Sequence, residues 1–350
     1  MHSENRKGKR VKQARKGSSL RKSIYDLSVL FDKFYSAKTA EGLAPGSLDK
    51  YLRTWKYFAG YLTDNGIGAD IRNIDIDLAR EYIVWLLEDR VKFDGHRFKT
   101  DDCKTKGLSP RTVNDHIKSL RTWFNFLVAE GIAEYNPFEN LKNVKQADAD
   151  IDILNVEELK ALLAAPDQRK YPDFRDYVVM HVLIDTMARI NEVLTLSLRD
   201  VDFSDMTIVI RSKIAKSRKP RIIPIQKKTA RLLKELIAEI GEFESEFIFL
   251  SNYGERLTTN HFRKQLNKFA TIAGIKKNVH PHLFRHTGAT MFLESGGDIR
   301  HLQMLLGHAD LRMVTRYTHL TKQALIKQHN AYSPLNQVLG KLSKERKIKR

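Results

Sequence analysis

Apolar residues return at spacings of three and four through residues 27 to 130, which commits this part of the chain to amphipathic helices packed on one another. Leu27, Leu30, Phe31 and Phe34 make the first stripe. In the second, Ser47 stands where an N-cap belongs and Leu48, Tyr51, Leu52, Trp55, Phe58 and Leu62 follow, while Lys50, Arg53 and Lys56 take the other face. A third helix is expected over Asp77 to Leu87, and the polar stretch Asp89 to Gly107 reads as a long loop. In the fourth helix Ser109 is the cap, Pro110 fits the first turn, Val113, Ile117, Leu120, Phe124 and Leu127 form the stripe, and Gly131 ends it. Leu52-Arg53-Thr54-Trp55 returns as Leu120-Arg121-Thr122-Trp123, so two helices offer similar basic and aromatic faces. Arg53, Lys56, Arg111, Lys118 and Arg121 on those faces are candidates for contact with a duplex, and the tryptophans serve either a groove or the core.

The polar run Lys142 to Asp152 follows Asn136-Pro137 and reads as a linker. Beyond it, helices are expected around Val156 to Ala164 and Phe174 to Leu198. Three short β-branched segments, Val201 to Phe203, Thr207 to Arg211 and Arg221 to Ile225, suggest a small antiparallel sheet. Helix signals then resume: Gly296-Gly297 ends one helix, Asp298 caps the next, Gly307 ends that, and Asp310 can cap a helix carrying Tyr317. The expected organisation is a basic arm (1–22), a helical domain (23–141), a linker (142–152), an α-rich domain with a small three-stranded sheet (153–335) and a basic tail (336–350).

Charge narrows the partners. The formal net charge is +19, and the two ends hold much of it: residues 1–22 contribute +8 and residues 341–350 contribute +5, leaving +6 for the body. Such arms are too poor in apolar residues to fold alone and suit the release of counterions from nucleic acid. A single cysteine, Cys103, excludes an internal disulfide and a cysteine-based zinc cage. The absence of a long apolar run predicts a cytoplasmic protein rather than a membrane one, nucleoid-associated if its basic arms hold DNA.

Four separated segments hold the reactive groups. In Met187-Ala188-Arg189-Ile190-Asn191-Glu192, an arginine set in an apolar helix must be paired, with Glu192 one turn away, or must face a ligand. Lys213 to Arg221 is a basic hairpin between two expected strands, either solvated or phosphate-facing. In His280-Pro281-His282-Leu283-Phe284-Arg285-His286, His282 and Arg285 share a face. His282 and His286 have the spacing of zinc ligands, but no glutamate lies between them and Arg285 would repel a cation, so no metal is expected. The fourth runs from Leu306-Gly307-His308 to Arg316-Tyr317-Thr318-His319.

Together these segments resemble the tyrosine recombinase (phage integrase) family, whose signature is Arg, Lys, His-x-x-Arg, His or Trp, and Tyr in that order. The resemblance spans about residues 25 to 335. It implies a SAM-like helical core-binding domain followed by a catalytic domain in which Arg189, Lys216, His282, Arg285 and His308 surround a phosphate attacked by Tyr317. Lys216 aligns with the family's hairpin better than Lys213, which is retained as a DNA contact. The first box departs from the family's Thr-Gly-Leu-Arg by reading Thr186-Met187-Ala188-Arg189. The implied activity is site-specific cutting and rejoining of double-stranded DNA through a 3′-phosphotyrosine and a Holliday junction. It implies no cofactor, a homotetramer with a dimer on each site, and room for an accessory DNA-bending or directionality factor. The basic arm and tail favour integration, excision or transposition of a mobile element over Xer-like dimer resolution. A relaxing topoisomerase and a DNA-binding regulator without catalysis are the rival readings. The apolar positions after Tyr317, Leu325 to Leu339, dock either on their own domain or on a neighbouring subunit.

Overall fold

The structure is a computed structural model that describes residues 23–92, 100–101, 104–146, 152–211 and 219–307, with single positions or short pieces between 310 and 336. The chain divides into two compact units, Met1–Asp148 and Ala149–Arg350. It is mainly helical, with one three-stranded antiparallel sheet among the described residues.

In the first unit, α1 (Leu27–Ala40), α2 (Pro45–Asp64), α3 (Ile76–Glu88) and α4 (Pro110–Ala129) pack around an aromatic core. Asp26, Asp75 and Ser109 supply side-chain N-caps to α1, α3 and α4. Ser47 does not cap α2, as its sequence position had suggested. The helix starts earlier, with Pro45 in its first turn and the Ala44 carbonyl accepting from the Ser47 and Leu48 N–H groups. Proline has no N–H to satisfy and its φ already suits a helix, so the first turn closes without a side-chain acceptor. The repeated Leu-Arg-Thr-Trp segments meet where α2 and α4 cross: the Trp55 and Trp123 rings lie edge to face at 5.3 Å, with Phe31 stacked on Trp55. Both tryptophans therefore serve the core. After α4 the chain is strapped back along that helix. Arg121 donates to the carbonyls of Phe138 and Leu141, and Asn114 exchanges two hydrogen bonds with the Val144 backbone.

The second unit contains α5 (Val156–Ala164), α6 (Tyr171–Thr186), α7 (Ile190–Leu194), the strands β1 (Val201–Asp202), β2 (Thr207–Ile210) and β3 (Arg221–Pro224), then α8 (Lys227–Glu239), α9 (Thr259–Ile272), α10 (Pro281–Glu294) and α11 (Ile299–Leu306). The strands are ordered β1-β2-β3, and β2 pairs β3 with Ile208 opposite Ile223 and Ile210 opposite Arg221. Helix α6 is enclosed chiefly by α8 and α10, with α5 and α9 beside it, which explains why Val178, Val179, Met180, Val182 and Leu183 are all buried although they point in different directions around the helix.

The single helix expected over Phe174 to Leu198 is broken. α6 stops at Met187, whose φ of 52° is left-handed, Arg189 is extended, and α7 restarts at Ile190. The Thr186 hydroxyl donates to the Val182 carbonyl and accepts from the Ala188 N–H, sealing the break. A left-handed non-glycine residue costs about 1–2 kcal/mol, which the burial of Met187 against Ala289, Leu293 and Leu306 offsets.

Two outcomes follow from this packing. A Cβ on Gly288 of α10 would lie 2.8 Å from Met187 Cγ and 3.1 Å from the Ile184 carbonyl oxygen. Overpacking of this kind costs about 1–3 kcal/mol, against a helix-propensity gain of about 1 kcal/mol for alanine. Gly288→Ala is therefore expected to lower the melting temperature followed by circular dichroism, and an unchanged or higher value contradicts the packing described. The second outcome concerns His116, which is buried and whose Nδ1 lies 3.0 Å from the Tyr82 hydroxyl. Burial first of all holds its imidazole down to about 4. A base depressed in the folded state keeps its full contribution above the unfolded value of about 6.5 and loses it as pH falls towards 4, at up to about 1.4 kcal/mol per pH unit. In the second unit the lowered His181 is opposed by Asp176, which burial raises to about 6. Trp55, Trp85 and Trp123, the chain's 3 tryptophans, all report on the first unit. Tryptophan fluorescence during urea unfolding should thus show a midpoint that drops from pH 6.5 to pH 5, with a shallower drop in His116→Gln.

Candidate active site

A guanidinium cannot lose its proton in a protein, so an enclosed arginine shows where a structure gathers acceptors. Arg285, on the first turns of α10, is 4% exposed and donates from Nη1 to the Met187 carbonyl and from Nη2 to the Leu306 carbonyl, each at 2.7 Å. Met187 stands two residues before Arg189 and Leu306 two before His308. One side chain thus joins the break between α6 and α7 to the end of α11.

Arg189 lies at the start of α7 rather than within a long helix. Its Nη1 donates to Glu192 Oε1 at 3.1 Å and its backbone N–H to Oε2 at 2.9 Å, so the pairing weighed from the sequence is present. The Arg189 side chain is nevertheless 20% exposed, whereas that of Glu192 is 1% exposed. Arg221, at the start of β3, binds the same carboxylate at 2.6 Å and donates from Nε to the Leu305 carbonyl at 2.9 Å. Both arginines hold the Glu192 carboxyl below its ordinary value although burial pulls the other way. Helix α11 ends at Gly307, whose φ of 63° is left-handed.

His282 is exposed, one turn before Arg285. Partial desolvation lowers its imidazole first, followed by the charges of His280, Arg285, Arg263 and Arg189. Its imidazole is therefore held neutral near pH 7, with an open lone pair, beside the fixed charges of Arg285, Arg263 and Arg189. α9 is joined to this region by the Thr259 hydroxyl, which donates to Asn191 Oδ1 at 2.6 Å.

Lys213, Lys216, His308, Tyr317 and the apolar positions after it, Leu325, Ile326, Tyr332, Leu335, Val338 and Leu339, lie outside the described residues, as do the arm 1–22 and the tail 337–350. In the first unit Arg53 and Lys56 are exposed on α2, and Arg111 and Lys118 on α4. Arg111, Lys118 and Arg121 line one open cleft of about 520 Å³ with Asn114 and Val144. Arg121 is the exception among them, because two of its nitrogens are bound to main-chain carbonyls and its first duty is structural. Among the described residues no group of three His, Cys, Asp or Glu is placed to hold a metal ion, and no helix is long and apolar enough to cross a membrane.

Glu192 and Arg221 form a bracket that sequence reasoning did not single out as such. Arg221 sits on the same face of β3 as buried Ile223, so a basic residue in an inward register was the available signal, but the register itself comes from pairing with β2.

The model of the phage integrase family matches residues 152–324, and that of the phage integrase SAM-like domain matches residues 26–145. The chain is 33% identical over 299 residues to a tyrosine recombinase XerD of Listeria monocytogenes serovar 1/2a, covering 84% of this chain and 94% of the relative. It is 32% identical over 302 residues to a tyrosine recombinase XerC of Oceanobacillus iheyensis, covering 82% and 90%. Among solved structures, the integrase of transposon Tn1549 in complex with a circular intermediate DNA aligns with a TM-score of 0.69 at 17% identity, over 88% of this chain and 100% of the other. The XerH site-specific recombinase bound to a palindromic difH substrate aligns with a TM-score of 0.64 at 23% identity, over 87% and 84%. Those two likenesses bear on the fold. With both units matched in order and relatives covered almost end to end, the chain belongs to the phage integrase family of tyrosine recombinases, enzymes that break and rejoin DNA.

Proposed function

We propose that this recombinase cuts each DNA strand by attack of Tyr317 on a phosphodiester, forming a 3′-phosphotyrosine, and reseals it when a 5′ hydroxyl from another strand reverses the attack. The reading is supported chiefly by the Arg285 bracket, which binds the backbone beside Arg189 and beside His308 with one guanidinium.

In a phosphodiester the non-bridging oxygens gain negative charge as the pentacovalent transition state forms, and Arg189 and Arg285 are the cations that would meet it. Tyrosine has an unperturbed pKa of about 10, so about 0.1% is ionised at neutrality and the attack needs a proton acceptor or a stabilised phenolate. His282, with its lowered imidazole, suits the first need and its cationic neighbours the second. Lys216 would protonate the departing 5′ oxygen, and His308 would donate to a non-bridging oxygen. Because the phosphotyrosine conserves the energy of the broken bond, resealing requires no ATP, and the two guanidinium groups supply charge that a metal otherwise would.

Double-stranded DNA is the partner in this reading. Arg53, Lys56, Arg111 and Lys118 contact it from the first unit, and the terminal arms add counterion release. Exchange of two sites requires four cuts, hence a tetramer with a dimer on each site, working in the cytoplasm through a Holliday junction. The basic arm and tail favour integration or excision of a mobile element. Dimer resolution is the second reading, favoured by full-length relatives named XerC and XerD.

Covalent capture tests the chemistry. The chain and its Tyr317→Phe variant are expressed in cells carrying the native DNA, denatured, and the attached DNA sequenced. Adducts at a discrete site through a 3′ phosphate, absent in the variant, are expected. Junctions at the ends of a mobile element mark integration, and a single chromosomal locus marks dimer resolution. Scattered adducts point to a relaxing topoisomerase. If none depends on Tyr317 while the protein occupies DNA, the catalytic reading is wrong.

A further inference from the structure

Glu192 is shared by two arginines with different prospects. Arg221 gives Nη1 and Nη2 to the carboxylate at 3.2 and 2.6 Å and Nε to the Leu305 carbonyl at 2.9 Å. Its side chain is 8% exposed, and a Cβ on Gly307 would come within 3.1 Å of its Cδ and Nη1. All three of its nitrogens are thus engaged inside the protein. Arg189 commits one side-chain nitrogen to Glu192, at 3.1 Å, and keeps an exposed flank.

The charge arithmetic gives this asymmetry a purpose. One carboxylate between two guanidiniums leaves a net positive charge, and the pair that cancels is Glu192 with the forked, enclosed Arg221. If Arg221 were removed, a carboxylate enclosed by protein would keep a single partner. An uncompensated buried charge costs several kcal/mol, so Glu192 would draw Arg189 into a forked pair. The cation would then be both neutralised and turned away.

We propose that Arg221 is a positioning residue for strand cleavage: by occupying Glu192 it leaves Arg189 charged and directed at the phosphate. The proposal rests on the reading of Arg189 as a phosphate ligand.

The test uses the full-length chain in cells carrying the native DNA, with two readouts at the sites where the wild type forms Tyr317 adducts. Formaldehyde crosslinking measures occupancy and denaturing capture measures the adduct. Arg221→Met should hold occupancy within about threefold and lose about a hundred- to a thousandfold of the adduct, the range for removal of one charge-stabilising group. Adding Glu192→Gln to Arg221→Met should recover at least about tenfold, because a neutral amide no longer competes for Arg189. A merely structural Arg221 would make the double variant as poor as Arg221→Met or poorer, and that result overturns the proposal, as does an Arg221→Met variant with full adduct yield. Should Arg221→Met fail to fold, Arg221→Lys decides: it keeps a cation beside Glu192 and is expected to retain at least about tenfold more adduct than Arg189→Ala. Equal loss in those two variants would refute the idea. Absence of adducts in the wild type would instead strike the proposed chemistry, and the positioning role with it.

Discussion

The enclosure of Arg285 is the interaction on which the second unit turns. A permanent charge at 4% exposure is tolerable only where dipoles are aimed at it, and the Met187 and Leu306 carbonyls are free to be aimed because both helices end there. α6 ends in a left-handed methionine, and α11 ends in a left-handed glycine. The orphan acceptors that any helix C-terminus leaves are thus used to hold a cation. Fold and site are the same bonds seen from two sides.

Glu192 extends that logic. Its carboxylate gathers Arg189 and Arg221, and Arg221 in turn takes the Leu305 carbonyl, one residue before the acceptor used by Arg285. β3, α7, α10 and α11 therefore meet through three guanidinium groups. Such a centre repels itself, and desolvation makes the repulsion worse, yet each cation is offset by a carbonyl or by the single buried carboxylate. What is left over is positive charge at the exposed flank of Arg189 and around His282.

The first unit shows a different division of labour among basic residues. Arg53, Lys56, Arg111 and Lys118 stay on the surface of α2 and α4, while Arg121, from the same repeated motif as Arg53, turns back to strap the chain that leaves α4. The two halves of the motif differ because Phe138 and Leu141 pass over one and not the other. Identical local sequence thus acquires opposite roles from its neighbours.

The four helices of the first unit, the three short strands and the ordered series of reactive segments were legible in the sequence, since periodicity, capping residues and spacing are local properties. The break at Met187 was not. Its residues have ordinary helix propensity, and the left-handed turn is stabilised by Ala289, Leu293 and Leu306 and by the space at Gly288, all about a hundred residues away. Ser47 misled for the opposite reason, a good cap being outdone by a proline two residues earlier. The sequence by itself determined the family, the chemistry available and the helices that carry it, because these depend on residue types in order. Only the tertiary structure decided which arginine stays open to a ligand and which is consumed by the fold, because that depends on where buried acceptors from distant segments converge.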